Sequence, residues 1–268
     1  MIDFIKHLFL AIIQGFTEPI PISSSGHLVI FKSILNSGIL NDLNFEIILN
    51  FGSLIAIVIF FFNDIKTIIR DFFLFIKTKE EKYEKNFKYS LLIIVGTIPA
   101  GIIGFLFKDT IEELLSGVKI VGIALLVTAL FLYLIKNIKG VKNDDEISFK
   151  DALIIGCFQA VALLPGISRS GATIVGGMFR NLKRETAFKF SFMLYIPISI
   201  ATMLLGVKDL MEASISSTLL MTYLICMIVS GIITYFTTKW FNNIMKNGKL
   251  IYFVVYCLIV GSLVIIFL

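Results

Sequence analysis

Charge is what this sequence has least of. Of its 268 residues, 16% are Asp, Glu, Lys or Arg, where a soluble domain carries about 25%. With 57% apolar residues and a mean hydropathy of +0.92, the chain has more apolar surface than an interior can bury, which excludes an ordinary soluble fold. Cysteine occurs three times. Cys157, Cys226 and Cys257 each sit inside an apolar run with no CxxC spacing and no clustered histidines, which excludes a disulfide framework or a zinc site and leaves small apolar packers. There is no basic segment followed by a clean apolar one at the start. The first apolar stretch begins after Asp3 and contains Lys6, Gln14 and Glu18, so no cleaved leader is expected. A polar face for nucleic acid is also missing. The net charge of +5 is therefore read as membrane topology, and no nucleic-acid partner is expected.

What is present is long apolar helix. A helix rising 1.5 Å per residue needs about 20 residues to cross a hydrocarbon core about 30 Å thick. Six stretches approach that length: Phe45 to Phe62, Tyr89 to Phe107, Val118 to Ile135, Phe190 to Val207, Thr218 to Phe236 and Leu250 to Leu268, with Glu46 and Lys119 the charges near their ends. Two further apolar regions are interrupted, Phe4 to Leu40 by EPIPISSSGH (Glu18 to His27) and Ala152 to Phe179 by PGISRSG (Pro165 to Gly171). Their arms are too short to span and have the length of re-entrant hairpins. Eighteen of the 24 Lys and Arg lie in four segments, Asn63 to Lys88, Lys136 to Lys150, Arg180 to Lys189 and Lys239 to Lys249. With these inside, the spans alternate consistently if the first hairpin enters from outside and the second from the cytoplasm. The loops around Asp109, Glu112 and Glu113 and around Asp209 and Glu212, poor in Lys and Arg, then lie outside.

The chain repeats itself. QGFTEPIPISSSG (Gln14 to Gly26) aligns with QAVALLPGISRSG (Gln159 to Gly171) at an offset of 145, pairing Gln14 with Gln159, Ile22 with Ile167, Ser23 with Ser168, Ser25 with Ser170 and Gly26 with Gly171, with Pro21 and Pro165 one position out of step. Downstream, Phe45 to Ile57 resembles Phe190 to Thr202. Each half, about 1–138 and about 149–268, holds one hairpin and three spans, and an odd span count inverts the second copy. The expected fold is an all-α polytopic membrane protein of about ten helices, one transmembrane domain over residues 1–268, with a basic cytoplasmic loop at 63–88 and the hairpin tips meeting at mid-membrane.

The tips carry the expensive polar groups. Gln14 and Glu18 share a helix face, and Pro19 and Pro21 end that helix. Ser23, Ser24, Ser25 and Gly26 then open a second helix, whose unpaired N–H groups suit an anion. The second tip repeats this with Gly166, Ser168, Ser170 and Thr173 and adds Arg169, whose fork matches phosphate oxygens. Two facing anion sites and one arginine point to a di- or polyanionic group. A charge at mid-bilayer costs about 2.5–3.5 kcal/mol even on the mild insertion scale, so Glu18 and Arg169 should face a cavity, a ligand or each other. His27 is the one tip side chain that titrates near neutrality and is a candidate proton carrier.

These motifs resemble the undecaprenyl-diphosphate phosphatase family associated with bacitracin resistance, whose signatures are an E/Q-x-x-x-E pair followed by Pro-x-Ser-Ser-x-Gly-His, and Pro-Gly-x-Ser-Arg-Ser-x-x-Thr. Here they read QGFTEPIPISSSGH and PGISRSGAT, and the likeness, including the acidic IPAGIIGFLFKDTIEE, extends over essentially the whole chain. The resemblance implies removal of the terminal phosphate of a C55 polyprenyl diphosphate in the bacterial cytoplasmic membrane, to give the monophosphate carrier of cell-wall synthesis. It implies a divalent cation, Mg²⁺ or Ca²⁺, an inverted-repeat fold and work on the outer face. By residue it places Gln14 and Glu18 as the metal or acid/base pair, Ser23, Ser24 and His27 in the catalytic stretch, and Ser168, Arg169, Ser170 and Thr173 in the diphosphate cradle. Gln14 stands where many members have Glu, which puts a two-carboxylate metal site in doubt. The attacking group stays open between Ser24 activated by His27 and a water activated by His27 or Glu18. The alternative function is a transporter or flippase of polyprenyl phosphate, which an inverted repeat with a midplane site supports equally. Substrate lipid and membrane lipids are the expected partners, and lipid-facing and subunit-facing apolar surfaces look alike in sequence, so a homodimer is left open.

Overall fold

The computed structural model describes residues 2–35, 43–114, 117–212 and 216–268, the side chains of 43, 108–114 and 207–212 excepted. The last residues of the first interrupted region and the loops around Asp109 and Glu112 and around Asp209 and Glu212 therefore lie outside the described side chains.

Eleven α-helices are described: α1 (Ile2–Thr17), α2 (Ser24–Leu35), α3 (Leu43–Phe60), α4 (Phe62–Thr78), α5 (Glu84–Leu114), α6 (Val118–Ile135), α7 (Phe149–Val161), α8 (Arg169–Phe179), α9 (Arg184–Glu212), α10 (Ser217–Asn247) and α11 (Ile251–Phe267). Four are long and apolar enough to cross a membrane, over Glu81–Phe107, Val118–Ile135, Arg184–Gly206 and Ser217–Asn247. The bent pair α3 and α4 passes the same test together, and the apolar α11 is 17 residues long. The chain is thus an all-α polytopic membrane protein. Residues 63–88, expected as a loop, instead hold α4, which leaves α3 at 75°. Its exposed Phe62, Ile69, Phe73 and Ile76 recur at helical spacing, so Lys66, Arg70 and Lys77 ride on an amphipathic helix rather than interrupting one.

Local chemistry sets the ends. Ser148 caps α7 by accepting from Asp151 N at 3.1 Å, Ser216 caps α10 at Leu219 N, and Gly248 stops α10 in the left-handed region at φ 69°. Asp151 is fully buried and accepts from Lys142 at 2.8 Å and Arg180 at 2.6 Å, which ties the start of α7 to the end of α8.

The two hairpins, α1–α2 and α7–α8, pack crosswise. The long arm α1 lies mainly on α10, while α7 lies mainly on α5. Thr234 on α10 donates to the Gly15 carbonyl on α1 at 3.3 Å, and Gly156 on α7 lies against the Gly96 carbonyl on α5 with no room for a Cβ. Each half thus lends its hairpin arm to the second long helix of the other, and α3 meets α9, as α6 meets α11, between them.

Candidate functional site

The hairpins turn at residues 18–23 and 162–168, where proline and glycine end one helix and a serine caps the next. The two caps are built alike. Ser23 Oγ accepts from Gly26 N at 3.2 Å and lies 3.4 Å from Ser25 Oγ; Ser168 Oγ accepts from Gly171 N at 3.1 Å and lies 3.2 Å from Ser170 Oγ. They reverse direction differently. Ser23 takes φ 68°, while in the second tip Gly166 takes φ 91°, a conformation a glycine adopts without strain. The tips touch: Gly26 lies against Gly166, and Gly171 against Pro21.

Between them is a cavity of about 250 Å³ lined by Glu18, Ser23, Ser24 and Ser25 of the first tip and Ser168, Arg169 and Ser170 of the second. Asn50 and Phe51 of α3, Gln159 and Leu163 of the second hairpin, and Tyr195, Ile198, Ser199 and Met203 of α9 complete the wall. Glu18 is the hub. Its Oε1 accepts from Arg169 Nη2, and its Oε2 accepts from Ser24 Oγ and, at 2.9 Å, from Gln14 Nε2. Arg169 also donates to Ser199 Oγ at 3.3 Å and lies 3.7 Å over the Tyr195 ring, so its guanidinium plane is fixed. Ser24 and Ser25, and Arg169 and Ser170, occupy first-turn positions whose N–H groups lack partners within their helices. The cavity therefore presents two positive helix ends, one guanidinium, several hydroxyls and one carboxylate, which suits a diphosphate and a proton acceptor beside it.

Four sequence-derived residues stand outside the cavity wall. Gln14 supports Glu18 from behind and also donates to Asn50 Oδ1 at 2.7 Å, leaving its own Oε1 buried without a partner. Gly166 shapes the tip, and Thr173 donates to the Arg169 carbonyl at 2.9 Å. His27 is buried, with Nδ1 2.7 Å from the Ser23 carbonyl and Nε2 2.7 Å from Tyr256 Oη on α11. Both ring nitrogens are thus occupied away from the cavity. Among the described residues no group of three or more His, Cys, Asp or Glu converges as a metal site. Sequence reasoning passed over Asn50, Tyr195 and Ser199. The signal was available for the first two, since Asn50 and Tyr195 occupy the same place in the repeated FEIILN and FSFMLY blocks.

Known proteins share this sequence throughout. Undecaprenyl-diphosphatase 2 of Bacillus thuringiensis (strain Al Hakam) is 47% identical over 264 residues, covering 98% of this chain and 97% of its own. Undecaprenyl-diphosphatase of Oceanobacillus iheyensis is 44% identical over 267 residues, covering 98% and 97%. The family model described as bacitracin resistance protein BacA matches residues 7–263, a range that holds both hairpin tips and every residue of the cavity wall. The chain belongs to the bacitracin resistance protein BacA family.

Proposed function

We propose that this chain is an undecaprenyl-diphosphatase, hydrolysing the terminal phosphate of a membrane-embedded polyprenyl diphosphate. One observation carries the reading: a single carboxylate, Glu18, holds the Ser24 hydroxyl on one oxygen and the Arg169 guanidinium on the other, inside a cavity flanked by two helix N-termini. Phosphoryl transfer needs mainly positioning and charge stabilisation. Arg169 and the helix ends bind the diphosphate oxygens. Glu18 stands where it takes the proton from Ser24 as Oγ attacks the terminal phosphorus; the bond to the bridging oxygen breaks, lipid monophosphate leaves, and water then releases phosphate from the serine. The same carboxylate serves a direct water attack if Ser24 only orients that water. His27 holds the tip through the Ser23 carbonyl, which makes it a positioning group in this scheme. The relatives carry diphosphatase names, and no observation favours transport.

A divalent cation fits the donors present. Glu18 and the unpartnered Gln14 Oε1 behind it are the two donors that would hold Mg²⁺ or Ca²⁺. Such an ion supplies further neutralisation of charge on the transferring phosphate.

The cytoplasmic membrane, with the site opening to its outer face, is the location we infer. The cavity wall uses Ile47 and Asn50 near the start of α3 and Thr202 and Met203 towards the end of α9, the ends away from the basic segments at 63–88 and 180–189. The halves at about 1–138 and 149–268 are read as inverted copies, supported by the crosswise hairpin packing. Apolar Ile47, Phe51, Leu163, Ile198 and Met203 continue the wall and suit a prenyl chain. Purified protein given a polyprenyl diphosphate and Mg²⁺ releases inorganic phosphate on this reading, and Glu18→Ala and Arg169→Ala do not. Transport of the lipid without phosphate release would replace it.

A further inference from the structure

Gln159, near the end of α7, lines the cavity, is 1% exposed, and has no hydrogen-bond partner at either Nε2 or Oε1. Native structures hold few buried amides with no partner inside the protein, and one at a cavity wall is placed to meet what occupies the cavity. The repeat shows how it arose. Its counterpart Gln14 donates to Glu18 and Asn50. At the same offset of 145, Leu163 stands in place of Glu18 and Tyr195 in place of Asn50. Leucine offers no hydrogen bond, and the Tyr195 ring is taken up beneath the Arg169 guanidinium. The second half thus holds the amide at the cavity wall without either of the partners that Gln14 has.

Its surroundings define what it meets. The carboxylate and Ser24 lie on the first hairpin, so the phosphate under attack belongs there. Gln159 lines the cavity from the second hairpin together with Ala162 and Leu163, and Leu163 belongs to the apolar lining that suits the prenyl chain. The phosphate on that side is the one esterified to the lipid. Resting on the diphosphatase reading, we propose that Gln159 is a substrate-binding residue, its Nε2 donating to a non-bridging oxygen of the phosphate that stays on the lipid and its Oε1 accepting from a water or hydroxyl bound there.

The test compares full-length wild type with Gln159→Leu and Gln159→Glu in detergent, using farnesyl diphosphate as substrate and farnesyl monophosphate as a non-reacting probe. Leucine keeps most of the bulk and removes the amide, so the ligand-free Tm should stay close to that of wild type. The hydrogen bond forms equally in ground and transition states, so KM should rise about tenfold with kcat within about threefold of wild type. The thermal shift produced by farnesyl monophosphate should shrink in step. Glutamate keeps the shape and repels phosphate, so its KM should exceed that of leucine. A lower ligand-free Tm with unchanged KM in Gln159→Leu would assign the residue to packing and overturn the proposal, as would an unchanged KM in Gln159→Glu. A kcat at least tenfold lower at constant KM would overturn it too, by placing the amide in the transition state. Wild type that releases no phosphate would defeat the diphosphatase reading alone, because the farnesyl monophosphate shift still decides whether Gln159 binds the lipid phosphate.

Discussion

Gly26 lies against Gly166 as Gly171 lies against Pro21, two contacts that the offset of 145 exchanges for one another. A Cβ on Gly26 would stand 3.2 Å from Gly166 Cα and 3.0 Å from Val121 Cγ1, and one on Gly171 would stand 3.2 Å from Pro21 Cβ. Gly26→Ala and Gly171→Ala should therefore each force the tips apart at a cost of about 1–3 kcal/mol. Because both act on one contact, the double variant should cost less than the two together, which thermal unfolding of the three proteins checks.

Breaking the pair of Glu18 and Arg169 leaves one charge stranded. Glu18→Leu and Arg169→Leu should each destabilise by about 3–5 kcal/mol, whereas the double replacement should recover much of that loss while remaining inactive. Stability and phosphate release measured on all three variants would contradict the pairing if the double variant were the least stable.

Arg169→Lys keeps the charge and loses the fork. Lysine cannot reach Glu18 and Ser199 while lying flat on Tyr195, so a loss of phosphate release of at least about 100-fold is expected, as for removal of a preorganised donor. Near wild-type turnover in detergent would remove Arg169 from the cradle.

Ser24 as attacker leaves a trace. Acid quenching during turnover of ³²P-labelled substrate should yield a phosphoserine that Ser24→Ala abolishes along with at least about 100-fold of activity. Retention of most activity by Ser24→Ala would assign the attack to water held by Glu18.

Gln14→Glu supplies the second carboxylate near the proposed cation. The Mg²⁺ concentration giving half-maximal activity should fall by about tenfold or more, since hard cations bind more tightly as ligand charge rises. An unchanged requirement after chelation and titration with Mg²⁺ would separate the cation from position 14.

The fold was legible wherever apolar length alone decides it. Val118 to Ile135 was bounded in sequence as it is in the structure, because Lys136 closes the run and Gly117 opens it. The region after Phe62 was not, because seven Lys and Arg average its hydropathy to that of a loop, while three of them, Lys66, Arg70 and Lys77, lie on an amphipathic helix. That Glu18 and Arg169 must face a cavity, a ligand or each other was readable from the cost of burying charge, whereas the bond from Ser24 to Glu18 was not. The direction of His27 was not, since it depends on Tyr256, 229 positions away. Gln159 was visible as the twin of Gln14, but its isolation follows only once Leu163 and Tyr195 are seen to occupy the places of Glu18 and Asn50.

The crosswise seating of the hairpins bears on how such a chain is made. Gly15 and its hydrogen-bond donor Thr234 are 219 positions apart, so while the ribosome is still working through the second half, α1 has only α2 and a small part of α3 to rest on and lacks its main partner α10. The N-terminal hairpin, first to be synthesised, is then among the last pieces to settle. Truncation before α10 should leave it exposed to membrane proteases.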